Sequence, residues 1–312
     1  MKVAVLMGGR SPEREISLRS GENVARELMS AGFEVVKIDP DENLISVMKE
    51  ERVEAAFLAL HGPNGEDGRI QGLLEFAGIP YTGSGVLASA LAMDKAMAKR
   101  LFDGAGIPTP SWIFLGDGVR PAEEELLSIG LPVVVKPSVG GSTIGITIVK
   151  DASRLGEAIE LARQYCHEVV LERYVAGTEI TVGVLGADEL QVLPVMEIVP
   201  AGEFYTFETK YVPGMSTHVI PARIPQAAYE RAQELALASH RLLGCFGMSR
   251  VDMIVSKEEE VMVLEVNTIP GMTDTSLLPE AAANVGIKFS RLLAQQVEWA
   301  LERFRRDRLL RT

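Results

Sequence analysis

The chain has 312 residues, of which 47% are hydrophobic, and a formal net charge of −12. This length predicts two or three domains, and no apolar run is long enough to predict a membrane span or a membrane partner. The acidic balance argues against a nucleic-acid partner, because phosphate backbones require a basic surface. Cys166 and Cys245 form no C-x-x-C motif and indicate neither a disulfide framework nor a zinc site. The first residues lack a signal-peptide pattern, so we expect a cytoplasmic protein.

The first part of the chain alternates predicted strands and helices. Strands are predicted at 3–7, 33–38 and 55–60, and helices at 13–29 and 44–51, which is typical of a parallel α/β sheet. Ligands of such sheets bind beyond the carboxyl ends of the strands. Glu13 beside the Gly8-Gly9 turn is therefore a candidate for holding a substrate ammonium. His61 follows a strand end, where a structural and a functional role are equally open.

The middle of the chain contains a glycine-rich stretch between two predicted strands. A helix at 88–103 and a strand at 112–115 precede a strand at 131–136, which ends in Lys136. The stretch 138–145 then leads into another strand at 146–149. A Walker loop would lead into a helix, so this stretch predicts a hairpin flap instead. The hydroxyls of Ser142 and Thr143 are candidates for closing over phosphate oxygens, and an ordinary flexible hairpin tip is the alternative.

Strands are predicted at 169–175 and 177–182, and the third part of the chain begins near Glu179. Glu172 is placed to accept hydrogen bonds from a ribose or an adenine amine, or it is a solvated carboxylate at a sheet edge. A polar insert at 202–214 is typical of a lid, with Lys210 and Tyr211 as its reactive members. A helix at 226–243 is stopped by Gly244, and a helix at 288–304 closes the chain.

Two β-branched runs, 251–255 and 261–266, flank a short polar segment and predict a β-hairpin. If the hairpin turns symmetrically about Glu258 and Glu259, Asp252 lies opposite Glu265 and Arg250 lies opposite Asn267. On alternation alone, Val263 shares a face with Glu265 and Asn267. Facing carboxylates repel unless a cation lies between them, and Mg²⁺ prefers such hard oxygen ligands. The hairpin therefore predicts a metal–nucleotide platform, and a solvated acidic hairpin is the alternative.

The order of these features closely resembles that of D-alanine–D-alanine ligases of the ATP-grasp superfamily. The resemblance covers nearly the full length, and seven motifs carry it: Gly8-Gly9-x-Ser11-x-Glu13-x-Glu15-x-Ser17, Leu60-His61-Gly62 to Gly68, Met93-Asp94-Lys95, Lys136-Pro137-Ser138 with Gly141-Ser142, Lys210-Tyr211, Arg250-x-Asp252, and Glu265-Val-Asn267-Thr-x-Pro270-Gly271-Met272-Thr273. It implies an α/β fold, α+β in the C-terminal half, with an N-terminal α/β domain at 1–90, a central domain at 91–178 and a C-terminal domain at 179–312. ATP would bind between the last two.

The resemblance also implies a role for each matching residue. The nucleotide would be bound through Lys95 and Lys136 at the phosphates, Ser142 and Thr143 of the flap, Lys210 at the γ-phosphate, and Glu172 and Glu179 at the adenosine. Two Mg²⁺ or Mn²⁺ ions would be held by Asp252, Glu265 and Asn267. The two D-alanines would contact Glu13, His61, Arg250, Gly271 and Ser276, with Ser142 and Tyr211 hydrogen-bonded to Glu13. Arg250 and the Gly271 N–H are the candidates for stabilising the oxyanion of the second step.

The implied activity is ATP-dependent formation of D-alanyl-D-alanine for peptidoglycan synthesis, in an expected homodimer. Tyr211 favours an amine as the second nucleophile, because related ligases that make ester-ended products have a histidine at this loop position. Val139-Gly140 and Thr206-Phe207 depart from the family pattern and bear on flap mobility and lid docking. The alternatives are an ATP-grasp ligase that uses D-lactate or D-serine as second substrate and a non-catalytic nucleotide-binding module.

Overall fold

The structure is a computed structural model, and it describes residues 1–200 and 216–310. The helices are α1 (Arg14–Ser30), α2 (Leu44–Glu50), α3 (Arg69–Ala77), α4 (Val86–Met93), α5 (Lys95–Ala105), α6 (Glu123–Ile129), α7 (Leu155–Arg163), α8 (Gln226–Leu243), α9 (Leu277–Asn284) and α10 (Phe289–Leu310). The strands are β1 (Lys2–Leu6), β2 (Glu34–Ile38), β3 (Ala55–Leu58), β4 (Trp112–Leu115), β5 (Val133–Pro137), β6 (Thr147–Val149), β7 (Val169–Arg173), β8 (Gly177–Gly186), β9 (Leu190–Val192), β10 (Met196–Pro200), β11 (Ser216–Val219), β12 (Gly247–Ser256) and β13 (Val261–Asn267). In these ranges no helix combines the length and the apolar character needed to cross a bilayer.

The first sheet is parallel, with strand order β2-β1-β3, which confirms the predicted α/β pattern. Its central strand is fully buried from Val3 to Leu6, as expected for a parallel strand covered on both faces. The carboxyl ends of the three strands meet at one edge. The Gly8 turn, the start of α1 and His61 all follow strand ends at this edge.

The predicted single helix at 88–103 is wrong, because the chain breaks at Asp94 into α4 and α5. The Asp94 backbone is extended, with φ −91° and ψ 103°. Its carboxylate accepts hydrogen bonds from the backbone N–H groups of Ala96 and Met97 and from Ser138 Oγ at 2.7 Å. Aspartate caps a helix start well and competes poorly as an interior residue. The break directs Lys95 toward the glycine-rich stretch.

The second sheet is antiparallel, with strand order β4-β7-β5-β6. The glycine-rich stretch joins β5 to β6, and these strands pair directly, which confirms the predicted hairpin. At its tip, Ser142 and Thr143 have positive φ angles of 51° and 59°. Residues other than glycine rarely adopt this region, and such strain is concentrated at functional sites.

The third sheet has strand order β11-β10-β8-β12-β13, with β9 paired to β8. Helix α8 covers one face, where Val251, Met253 and Val263 are fully buried. Gly244 ends α8 in the left-handed region with φ 71°, as predicted. The expected boundary between residues 178 and 179 falls inside β8, so the third sheet begins two residues earlier.

The hydrophobic cores cross the expected domain boundaries. Ala98 and Phe102 of α5 belong to the core of the third sheet. At the C-terminus, Leu292 of α10 shares a core with Val24 of α1 and Phe57 of β3. The same core contains Leu185 of β8 and Met248 of β12, so it packs the first sheet against the third.

Candidate active site

One cleft collects side chains from the first sheet, the glycine-rich flap and the third sheet. Most of the predicted site residues line it: Glu13, His61, Lys95, Ser142, Arg250, Glu265, Asn267, Gly271 and Ser276. Thr143 lines a smaller adjoining cavity together with Lys95 and Glu265. Four other predicted residues lie outside the lining of the main cleft: Lys136, Glu172, Glu179 and Asp252. Lys210, Tyr211, Thr206 and Phe207 lie outside the described residues.

The β12–β13 hairpin has the predicted pairs at its cleft end: Arg250 lies opposite Asn267, and Asp252 opposite Glu265. Near the turn, however, the register differs by one residue, because Met253 pairs with Val263 and leaves Leu264 without an opposite residue. A bulge of this kind reverses the alternation of side chains along one strand. The prediction that Val263 shares a face with Glu265 is therefore wrong. Val263 is buried in the core, whereas Glu265 and Asn267 line the cleft.

The two facing carboxylates are neutralised by basic side chains of the protein. Arg250 donates two hydrogen bonds to Asp252, from Nε at 2.8 Å and from Nη2 at 2.7 Å. Thr181 Oγ1 donates a third at 2.6 Å. Lys95 Nζ lies 3.6 Å from Glu265 Oε2. Repulsion between the carboxylates, which suggested a bridging metal, is thus offset by two cations, Arg250 on the same strand as Asp252 and Lys95 at the start of α5.

The oxygen donors on this wall of the cleft fit Mg²⁺. Glu265 and the side-chain amide of Asn267 line this wall, and the buried Asp252 lies opposite Glu265 in the hairpin. Mg²⁺ usually takes one or two carboxylates and completes its shell with water and phosphate. Within residues 1–200 and 216–310, no cluster of three or more His, Cys, Asp or Glu side chains is arranged to hold a metal by itself. This donor set therefore suits a metal that arrives with a phosphate ligand.

Glu13 connects the first sheet to the flap. It is buried at the N-terminus of α1, and Ser142 Oγ donates a hydrogen bond to its carboxylate, as predicted. A Cβ atom at Gly141 would lie 3.3 Å from both carboxylate oxygens, so glycine allows the flap backbone to approach. The flap is also held by Lys95, whose Nζ donates to the Gly140 carbonyl at 2.5 Å.

His61 is buried in the cleft wall, and its Nε2 lies 3.1 Å from Ser20 Oγ. Burial, reinforced by the positive charge of Arg250, lowers its pKa to about 4. His61 is therefore a neutral imidazole near neutral pH.

Glu66 is a buried cleft residue that the sequence reasoning missed. Its carboxylate accepts a hydrogen bond from the Gly62 N–H at 2.5 Å. Burial, together with the negative charge of Glu13, raises its pKa well above the ordinary glutamate value. Its position in the polar loop after β3, at the carboxyl edge of the first sheet, was the available signal.

A buried cluster of charges lies beside the flap, where Glu172 forms an ion pair with each of two lysines. Lys136 Nζ is 2.5 Å from Glu172 Oε1, and Lys99 Nζ is 2.6 Å from Glu172 Oε2. Burial opposes the charged carboxylate, but the two lysine charges prevail and lower the pKa of Glu172. Because Glu172 is 2% exposed, its interpretation as a solvated carboxylate is wrong. Lys99, which Thr109 Oγ1 also contacts at 2.5 Å, was missed by the sequence reasoning.

The segment after β13 carries the remaining cleft residues. Ser276 directly precedes α9. Its Oγ accepts a hydrogen bond from the Thr273 N–H at 2.8 Å. A Cβ atom at Gly271 would lie 2.9 Å from Ser276 Oγ, so the close approach of these two residues requires glycine. Both face the cleft at the end of the hairpin.

Comparisons with known proteins agree over the whole chain. Residues 40–84 match the family described as D-ala D-ala ligase N-terminus, and residues 101–298 match the D-ala D-ala ligase C-terminus family. A D-alanine–D-alanine ligase of Desulforamulus reducens is 48% identical, and one of Desulforudis audaxviator is 50% identical; each alignment covers 97% of this chain and 99% of the relative. The crystal structure of a D-alanine–D-alanine ligase from Bacillus anthracis complexed with ATP is similar with a TM-score of 0.86 and 36% identity, over 98% of this chain and 99% of that one.

Proposed function

This chain belongs to the D-alanine–D-alanine ligase family, and from this premise we infer that it is an enzyme that joins two D-alanines at the expense of ATP. The fold is ATP-grasp, like that of its structural relatives. The observation that carries the inference is the identity of 48% to 50% with curated ligases over 97% of the chain. The product, D-alanyl-D-alanine, serves peptidoglycan synthesis, and ADP and phosphate are released. These relatives do not favour a D-lactate or D-serine ligase or a non-catalytic module.

In the first step we propose that the carboxylate of one D-alanine attacks the γ-phosphate of ATP and forms D-alanyl phosphate. Glu13 holds the ammonium of this D-alanine, because its buried carboxylate is oriented by Ser142. Arg250 lies across the cleft from it and binds the carboxylate. Attack of one anion on another requires surrounding positive charge, and both Arg250 and Lys95 are in the cleft lining.

ATP is proposed to bind beside the flap, with its metal ions at the hairpin. Lys95, Lys136, Lys210 and the hydroxyls of Ser142 and Thr143 contact the phosphates, and Glu172 and Glu179 contact the adenosine. Asp252, Glu265 and Asn267 would hold two Mg²⁺ or Mn²⁺ ions, whose positive charge would offset the charge that develops on the transferred phosphoryl group. Support for this arrangement comes from the donor set, since all three side chains project from one end of the β12–β13 pair.

In the second step the amine of the other D-alanine attacks the acyl carbon and displaces phosphate. The tetrahedral oxyanion is stabilised by Arg250 and the Gly271 N–H. Ser276 binds the carboxylate of this second D-alanine. Closure of a lid over the cleft keeps water away from the acyl phosphate, and Tyr211 in the insert is proposed to join the contact between Ser142 and Glu13.

The activity is tested by phosphate release from Mg-ATP with D-alanine, with L-alanine and without an amino acid. We expect release only with D-alanine, with one dipeptide formed for each phosphate. A parallel reaction with D-alanine and D-lactate together measures the choice of second substrate. Equal release without D-alanine, or an ester product in excess of dipeptide at neutral pH, would contradict the proposal.

We also propose the domain roles, the oligomeric state and the cellular location of this enzyme. The domain division at 1–90, 91–178 and 179–312 describes which segments carry the substrate, flap and metal sites. The enzyme acts as a homodimer, which sedimentation at micromolar concentration tests. It acts in the cytoplasm and needs neither a nucleic acid nor a membrane as partner.

A further inference from the structure

Ser20 on α1 contacts two parts of the cleft wall through one hydroxyl group. It is fully buried, and its Oγ accepts a hydrogen bond from the Met272 N–H at 3.1 Å. The same Oγ lies 3.1 Å from Nε2 of His61. One turn further along α1, Asn23 Nδ2 donates to the Met272 carbonyl at 3.2 Å. Helix α1 therefore holds both backbone polar groups of Met272.

The Ser20 hydroxyl can serve as a donor to His61 within this network. A serine hydroxyl donates one hydrogen bond and accepts two. The Met272 N–H occupies one acceptor position of Ser20 Oγ and leaves the hydroxyl proton available to His61 Nε2. When the serine donates to it, Nε2 is the unprotonated nitrogen of the ring. The other nitrogen, Nδ1, carries the proton of the neutral imidazole. The backbone of Ile269 also hydrogen-bonds the ring and favours its protonated form, which is the effect of a carbonyl acceptor.

This tautomer has two consequences in the cleft. A neutral His61 does not repel the positive charge of Arg250, so the ring and the guanidinium can both stay in the cleft wall. In addition, Met272 directly follows Gly271, whose N–H is the proposed donor to the oxyanion. A displacement of about 1 Å in a catalytic donor can cost on the order of 100-fold in rate. The hydrogen bonds from α1 to Met272 therefore bear on the position of the Gly271 N–H.

We propose that Ser20 is a positioning residue for ligation: its hydroxyl holds His61 in the neutral Nδ1–H tautomer and fixes the Gly271–Met272 segment against α1. Its part in catalysis rests on the proposed function above. Ser20 itself does not line the cleft, so it acts through His61 and Gly271.

The kinetic test compares Ser20→Ala with Ser17→Ala. Ser17 is a matched control, because it is fully buried on the same helix and its Oγ accepts from the Gly8 N–H at 2.8 Å and donates to the Ala59 carbonyl at 2.7 Å. We expect Ser20→Ala to lower kcat about 10- to 100-fold relative to Ser17→Ala, with the KM for ATP unchanged. Equal kcat values for the two variants would overturn the positioning role.

The second test does not depend on activity. Nitrogen-15 NMR of the histidine rings in the full chain should show His61 as the Nδ1–H tautomer in the wild type and a changed tautomer population in Ser20→Ala. Asn23→Ala should lower kcat by a smaller factor, about threefold to tenfold, and leave the tautomer unchanged. A wild-type His61 protonated at Nε2 would overturn the proton assignment even if Ser20→Ala fails to fold. A chain without ligase activity but with the Nδ1–H tautomer would instead overturn the proposed function.

Discussion

Removal of the Glu172 carboxylate should destabilise the protein more than removal of either lysine that it binds. Glu172 is the shared anion between Lys99 and Lys136, with ion-pair distances of 2.6 and 2.5 Å. In Glu172→Gln both lysines lose their counter-ion, whereas Lys99→Met leaves one balanced pair. The pKa of Lys99 is already lowered by its burial, despite the attraction of Glu172. A buried lysine without that attraction is therefore costly.

The magnitude follows from the asymmetry of buried ion pairs. Removal of one partner of such a pair typically costs about 3–5 kcal/mol, because the other charge stays buried and uncompensated. We expect a loss of about 3–5 kcal/mol for Glu172→Gln and a smaller loss for Lys99→Met. The double variant Glu172→Gln/Lys99→Met should be more stable than Glu172→Gln alone, because it removes the uncompensated charge.

Urea unfolding of the full chain at pH 7, followed by tryptophan fluorescence, measures these differences. Trp112 is a suitable reporter, since it lies opposite Glu172 in the β4–β7 pair. The folded-state pKa of Glu172 is below its ordinary value of 4.5, so its stabilising contribution is present above pH 4.5 and decreases as the pH falls below it. Two results would refute the shared-anion argument. One is a loss of unfolding free energy in the double variant that equals the sum of the two single losses. The other is a difference in unfolding free energy between Glu172→Gln and the wild type that does not change with pH.

Three other predictions follow from the site and from the fold. Glu265→Gln should keep the fold, as judged by circular dichroism, but lose most of the D-alanine-dependent phosphate release, because the metal loses an anionic ligand; wild-type turnover with unchanged Mg²⁺ affinity would contradict this. The pKa of His240 is lowered from 6.5 to about 4, chiefly by burial, so the free energy of unfolding should decrease as the pH falls from 6.5 to about 4, because only the unfolded state binds the proton in that range. That loss is on the order of 3 kcal/mol, and urea titrations at several pH values should show a shallower decline for His240→Gln. Asp94→Ala should lower the free energy of unfolding by about 1 kcal/mol through loss of the α5 cap. It should also raise the KM for ATP, since Lys95 lies in the first turn of α5. An unchanged KM would contradict the expected effect of the cap on ATP binding.

Local patterns in the sequence were sufficient for most of the secondary structure. Apolar runs predicted the strands of the first sheet, and two β-branched runs around a polar segment predicted the β12–β13 hairpin, because the residue types that suit a strand can be recognised within the strand itself. The glycine-rich stretch was correctly placed between paired strands for the same reason. The break at Asp94 was missed, because the Ala- and Leu-rich pattern continues across it and the stabilising contact with Ser138 comes from a distant part of the chain.

The bulge at Leu264 could not be predicted from the pattern of the strand alone. Alternation alone placed Val263 with Glu265, but the packing of Val263 into the core beneath α8 requires the opposite face. One extra residue satisfies both the buried core and the exposed carboxylate. The register of a strand is set by what its two faces contact, and those contacts were not visible in the sequence.

The sequence by itself determined the chemical content of the site: an acid beside the first glycine turn, lysines at the flap, and two acids with an amide on the hairpin. Only the tertiary structure decided which polar groups pair, such as Lys95 with Glu265, Lys99 with Glu172, and Ser20 with His61. The physical reason is distance along the chain. Periodicity reports the faces of one element, whereas a partner from another element is selected when the three sheets pack and exclude water from the groups between them.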